Sequence, residues 1–146
     1  MKLLLLNPSR QPLRKKWCER WVQALARRLI KRGYTQVKGK ELVMVFVSST
    51  EIRRLNRLYR RKDYSTDILS FQPAEDTSLG ELVMCRSYIR RQAKRTGLGE
   101  YGELGYMIVH GVLHLLGHDH EKPKERDLMF ALQDELFAEL KRALRR

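Results

Sequence analysis

The chain has 146 residues, 30 of them Lys or Arg and 17 Asp or Glu, for a formal net charge of +13. Its 42% hydrophobic content excludes a disordered polycation, and its length fits one domain, residues 1–146, that buries a core without staples. Two cysteines, Cys18 and Cys85, are too few for a disulfide framework and fit a reducing, cytoplasmic setting, while the longest apolar runs, residues 3–6 and 42–47, are too short to span a membrane.

Residues 3–6 predict a short strand ended by Asn7-Pro8. Residues 12–32 predict a helix, because Trp17, Trp21, Leu25 and Leu29 recur every four residues and Gly33 stands to end it. That spacing assigns the Trp stripe to the core rather than to base stacking. The other face carries Arg14, Lys15, Lys16, Arg20, Arg27, Arg28, Lys31 and Arg32. Residues 42–47 read as a buried strand. Ser48-x-x-Glu51 then matches a capping box and opens a helix bearing Ile52, Leu55 and Leu58, whose tail, Tyr59-Arg60-Arg61-Lys62-Asp63, is basic. Residues 67–71 and 79–85 predict two more strands on either side of a turn-like segment, and residues 87–96 a helix stopped by Gly97. The last third is helical. Residues 100–116 form one helix, with Leu104, Ile108 and Leu115 among its apolar positions and Gly117 at its end. Residues 124–144 form another, with Leu128, Leu132, Leu136, Leu140 and Leu144 at strict four-residue spacing behind Pro123. The order β-α-β-α-β-β-α-α-α predicts an α+β fold, a small mixed four-stranded sheet packed with about five helices.

The charge is unevenly placed. Residues 1–62 hold 18 Lys+Arg against 3 Asp+Glu, whereas residues 63–101 hold 5 against 6 and residues 102–146 hold 7 against 8. Such a basic region attracts polyanions, because each phosphate it neutralises releases condensed counterions. A membrane surface would need a lipid-facing apolar stripe or a lipidation signal, and the sequence shows neither. A solvated face that only maintains solubility is the remaining alternative.

All four histidines fall within residues 110–120, and three of them, His110, His114 and His120, make the pattern H-x3-H-x2-G-x2-H. Positions i and i+4 share one helix face, so His110 and His114 can address one ion, and a left-handed turn at Gly117 can bring His120 back as a third ligand. Three neutral nitrogens with an open fourth position describe a catalytic zinc-type site, in which bound water is acidified. His118 falls beyond the helix break and reads as a neighbouring or surface residue. Asp119 can orient a ligand imidazole or cap the chain. The spacing is also that of the metzincin peptidase helix, H-E-x-x-H-x-x-G-x-x-H, but Gly111 stands where those enzymes keep their general-base glutamate. A zinc metallopeptidase is therefore a disfavoured alternative. Close backbone packing or substrate access beneath the metal would each give a reason for a glycine there.

Three blocks resemble the YbeY endoribonuclease family. Residues 110–120 resemble its H-G-x-L-H-L-x-G-[YH]-D-H signature, with His118 in place of the usual Tyr. Residues 55–71 resemble its L-N-x-x-Y-R-x-x-D-x-x-T-D-V-L-S-F block, in which Thr66 and Ser70 match motif positions. Leu79-Gly80-Glu81-Leu82 resembles its L-G-D-I strand, with Glu81 in place of the commoner Asp. The resemblance implies one divalent metal ion per chain, zinc foremost, on His110, His114 and His120, with catalytic roles for Arg60 and His114. A guanidinium grips phosphate in a bidentate way, which suits Arg60 to that role. Arg57, Arg60, Arg61 and Lys62 form the expected RNA-contacting stretch, and Asp67, Glu81 and Asp119 are the carboxylates expected near the ligands. The implied activity is a single-strand-specific, metal-dependent endoribonuclease in rRNA processing, at the 3′ end of small-subunit 16S rRNA, and in ribosome quality control. The implied partners are ribosomal RNA, small ribosomal subunit precursors and a ribosome-assembly GTPase, with no membrane. A non-enzymatic assembly factor with a purely structural metal is the second alternative.

Overall fold

Strands β1 (Lys2–Leu6), β2 (Glu41–Phe46), β3 (Ile68–Phe71) and β4 (Ser78–Met84) form one sheet in the order β1-β2-β4-β3. The first three neighbours run parallel, and β3 closes one edge antiparallel to β4. The protein is described by a computed structural model covering residues 1–144. Five α-helices accompany the sheet: α1 (Lys15–Lys31), α2 (Ser49–Arg60), α3 (Arg86–Thr96), α4 (Glu100–Leu115) and α5 (Pro123–Ala143). The element order and the mixed four-stranded sheet are those expected from the sequence.

Strand alternation divides the sheet into two faces. Leu42, Met44 and Phe46 of β2 point into the main core, where they meet Leu25 and Leu29 of α1, Ile108 and Val112 of α4, and Leu136 and Leu140 of α5. On the other face only a small cluster forms, with Ile52 of α2 against Leu69, Val83 and Cys85. Leu4 and Leu6 therefore stay close to half exposed. The Trp stripe of α1 is core, as expected: Trp21 is buried and its Nε1 donates to the Gly105 carbonyl at 3.1 Å.

Four local expectations need correction. Helix α1 begins at Lys15, not at residue 12, with the Pro12 carbonyl engaged instead by the Arg86 guanidinium. The capping box at the start of α2 is half made. Ser48 Oγ accepts from Glu51 N at 3.1 Å, but the Glu51 carboxylate pairs with Arg54 rather than reaching back. The leucine stripe of α5 does not mark its buried face. Four-residue steps advance about 400° on a helix of 3.6 residues per turn, so the stripe spirals by about 40° per step. Leu136 and Leu140 are buried, Leu128 is 68% exposed, and Met129, Gln133 and Phe137 complete the buried face. Leu58 of α2, expected on the apolar face, is likewise exposed.

Candidate metal centre

Helix α4 crosses the sheet closely enough to bring its C-terminal half beside the edge strand β3. Gly111 makes this approach possible, since a Cβ there would lie 2.7 Å from both Ile68 Cδ1 and Leu82 Cδ2. Of the two reasons a glycine could stand at 111, close backbone packing is the one the structure shows. Position 111 faces Ile68 and Leu82, so a glutamate there would have to displace both side chains.

His110 and His114 lie one turn apart on α4. The helix then ends with Gly117 at φ +97°, and His118 N donates to the Leu113 carbonyl at 3.0 Å, a left-handed cap that returns the chain. The return delivers His120. Its ring centroid lies 4.9 Å from that of His114 and 5.6 Å from that of His110, and candidate ligand atoms of all three histidines lie within 4.8 Å of one another. Among the described residues, this is the cluster that can hold a metal ion.

Each helical imidazole is oriented through its Nδ1. His110 Nδ1 faces Gln133 Oε1 at 3.0 Å, and His114 Nδ1 faces the His118 carbonyl at 3.0 Å. Both partners are acceptors, so both Nδ1 atoms carry the proton and both Nε2 atoms present lone pairs. Those two Nε2 atoms stand 3.1 Å apart. Two facing lone pairs at that distance repel unless a cation lies between them. Tetrahedral zinc with Zn–N bonds of about 2.0–2.1 Å separates its ligand nitrogens by roughly 3.3 Å. The donor set therefore fits a metal ion of that kind. Burial holds the imidazoles neutral: it is the largest cause of the lowered pKa of His110, and with the neighbouring imidazoles it pushes His114 down to about 4. Neutral imidazole is the form that binds metal.

The histidines floor a cleft of about 180 Å³ whose wall comes from α2, β3 and the loop between them: Asn56, Arg60, Lys62, Tyr64, Thr66, Asp67 and Ser70. Arg60 Nη2 donates to the Ser70 carbonyl at 3.3 Å, on the edge of the sheet nearest the histidines. Asp67 Oδ1 accepts from Ile68 N at 2.8 Å and from Thr66 Oγ1 at 3.2 Å, and its charge acts on His110 against the effect of burial.

The remaining expected residues lie elsewhere or do other work. Asp119 Oδ1 accepts the backbone N–H groups of His120 and Glu121, at 2.7 and 3.3 Å, so it fixes the turn carrying His120 rather than the imidazole itself. Arg57 lines a different groove with Thr50, Arg53, Arg54 and Asp63, because it points away from the Asn56–Arg60 face of α2. Arg61 leaves the helix at φ +57° and is not among the residues lining the cleft. Glu81 sits on the sheet face opposite α4, beside Leu55, Tyr59, Phe71 and Val83. The basic segment, residues 14–62, is shared among several surfaces: Arg27, Arg28, Lys31 and Arg32 of α1 line a groove with Glu139, remote in sequence from Arg60 and Lys62.

Two residues of the site escaped the sequence reading. Gln133, fully buried on α5, orients His110; its one signal is a polar residue inside the apolar face of α5. Asn56, buried on α2, donates Nδ2 to the Tyr64 carbonyl at 2.9 Å and so shapes the loop that walls the cleft.

The fold and site define a class: an α+β protein with a three-histidine cluster able to hold a metal ion at the foot of a cleft edged by cations. Comparison with known proteins places it more narrowly. The family model for Endoribonuclease YbeY matches residues 7–141, and the chain belongs to that family. It is 39% identical to Endoribonuclease YbeY of Bdellovibrio bacteriovorus over 140 residues, covering 94% of this chain and 93% of that one. It is 42% identical to Endoribonuclease YbeY of Myxococcus xanthus over 112 residues, covering 71% of this chain and 38% of that longer protein. The solution structure of TM1509 from Thermotoga maritima superimposes with a TM-score of 0.64 at 26% identity, covering 98% of this chain and 91% of that one. No helix among the described residues is long and apolar enough to cross a membrane.

Proposed function

We propose that the protein is a metal-dependent endoribonuclease that cuts single-stranded RNA, working as a single domain in the cytoplasm. His110, His114 and His120 hold one divalent ion, and zinc is the ion their all-nitrogen donor set suits best. Such an ion, when bound, supplies Lewis acidity to phosphoryl oxygen and to water. The chain's own residues do the rest. Arg60 and Lys62 draw the RNA backbone into the cleft and neutralise charge that builds on phosphate oxygens, with the Arg60 fork positioned by the Ser70 carbonyl. Asp67 stands at the cleft wall close enough in charge to act on His110, and is the carboxylate placed to exchange a proton with a group in the cleft.

One observation carries this reading: the 3.1 Å approach of two deprotonated imidazole nitrogens in the same cleft as Arg60 and Lys62. Family membership supports an RNA substrate; the place proposed for the activity is ribosomal RNA processing at the 3′ end of small-subunit 16S rRNA and ribosome quality control. Small-subunit precursors and a ribosome-assembly GTPase are the proposed partners. The test compares wild type, His114→Ala and Arg60→Glu on one RNA sequence, single-stranded and annealed to its complement. The expected outcome is cleavage of the single strand by wild type alone. Equal cleavage by all three would trace the activity to a contaminating nuclease.

A further inference from the structure

Two aromatic rings at the site are left exposed. Phe130, on the first turns of α5, is 37% exposed, and its ring centroid lies 6.2 Å from that of His110 and 6.3 Å from that of His120. The planes of the three rings are tilted from one another by only 18–27°. Tyr64 is 54% exposed, on the loop after α2, and lines the cleft beside Arg60 and Lys62. Its backbone carbonyl is held by the buried Asn56, so the ring projects from a fixed point. Both rings thus leave aromatic surface accessible beside a cationic cleft, the combination that single-stranded nucleic acid binds.

We infer that Phe130 and Tyr64 are stacking platforms for unpaired bases of the RNA bound in the cleft. This rests on the proposed RNA-cleaving function and adds to it the subsite that selects single strands. Each ring offers a π-face to a base whose phosphates are held by Arg60 and Lys62. Arg126, exposed and one turn before Phe130 on the same face of α5, is placed to take a phosphate on that side. Aromatic rings stack on bases with little regard to sequence, but only on bases not already stacked within a duplex. The cations alone would hold duplex and single strand alike. The rings give the site a way to tell them apart, and to do so without reading sequence.

The test uses the full-length protein and two fluorescently labelled oligoribonucleotides of equal length, one unstructured and one with abasic residues at its centre. Affinity is read by anisotropy on the metal-loaded protein at low temperature, each strand is checked for intactness on a gel afterwards, and metal content is measured on the same samples. Phe130→Leu and Tyr64→Leu keep apolar bulk and remove the π-face; Phe130→Trp restores one. Each leucine variant is expected to bind the unstructured RNA about 5- to 150-fold more weakly than wild type. Metal content and abasic binding should be unchanged, and Phe130→Trp should bind as wild type does. Wild-type affinity for the unstructured RNA in either leucine variant would overturn the inference, as would an equal loss on the abasic strand. If wild type itself binds neither strand, the RNA-cleaving function fails as well, which separates the two failures.

Discussion

Tyr34 Oη and His118 Nε2 lie 2.8 Å apart, and their bond ties the end of α1 to the end of α4. The two ends are built alike. Gly33 and Gly117 both turn left-handed, and the residue after each, Tyr34 and His118, donates its N–H to the carbonyl five residues back, on Leu29 and Leu113. His118 in turn presents its own carbonyl to His114 Nδ1. The tyrosine that follows α1 thus bears on His114 of α4 through one intermediary.

Tyr34→Phe removes that tether and little else. Metal affinity, measured by competition with a coloured chelator, is expected to fall by up to about 10-fold, the lower end of what outer-sphere partners contribute. Unchanged affinity would show that the cap at Gly117 fixes His118 unaided.

Gln133 acts on His110 directly, from a fully buried position. Gln133→Leu is expected to cost about 10- to 100-fold in metal affinity and about 1–3 kcal/mol in stability, since the His110 N–H loses its acceptor. Gln133→Glu keeps an acceptor at the same place and should retain most of the affinity. Chemical denaturation and metal titration on the same variants separate the two effects.

Installing the peptidase glutamate should not make a peptidase. At Gly111 an alanine Cβ already meets Ile68 and Leu82 at 2.7 Å, a contact those side chains can relieve by small shifts. Overpacking of this size costs about 1–3 kcal/mol, set against about 1 kcal/mol of helix propensity gained by replacing glycine. Gly111→Glu adds a buried carboxylate and should melt well below Gly111→Ala, with no cleavage of casein by either. Casein cleavage by the glutamate variant would revive the peptidase reading.

Acid should weaken the metal-free fold through His114. Its pKa is 6.5 when unperturbed and about 4 in the folded protein, lowered first by burial and then by His110 and His120. Between those values the unfolded chain binds more protons than the folded one, so stability falls as pH drops from about 6.5 toward 4. The measurement is the difference in unfolding free energy between wild type and His114→Gln across that window. The glutamine variant should show the shallower decline; parallel curves would contradict the shift.

How much of this was legible in the sequence depended on how local each relationship is. His110, His114, Gly117 and His120 lie within eleven residues, and helix geometry with one left-handed turn is enough to assemble them. The sheet was legible because its strands are short apolar runs between turn residues. Gln133 was not, since its link to His110 crosses 23 residues and depends on how α5 lies against α4. Arg57, Arg60 and Arg61 look alike in a basic run, and only the 100° turn per residue and the left-handed backbone at Arg61 separate them. Glu81 illustrates the same limit for strands: the period of two puts it on the sheet face away from α4, but the sequence does not say which face α4 takes.

The most direct test of the central claim, that His110, His114 and His120 hold one ion on which RNA cleavage depends, is a chelator titration with metal content and cleavage rate read on the same samples. Cleavage should fall in proportion to the loss of one ion per chain, return on adding zinc, and stay absent in His110→Ala and His120→Ala. Full cleavage by protein stripped of its ion would contradict it.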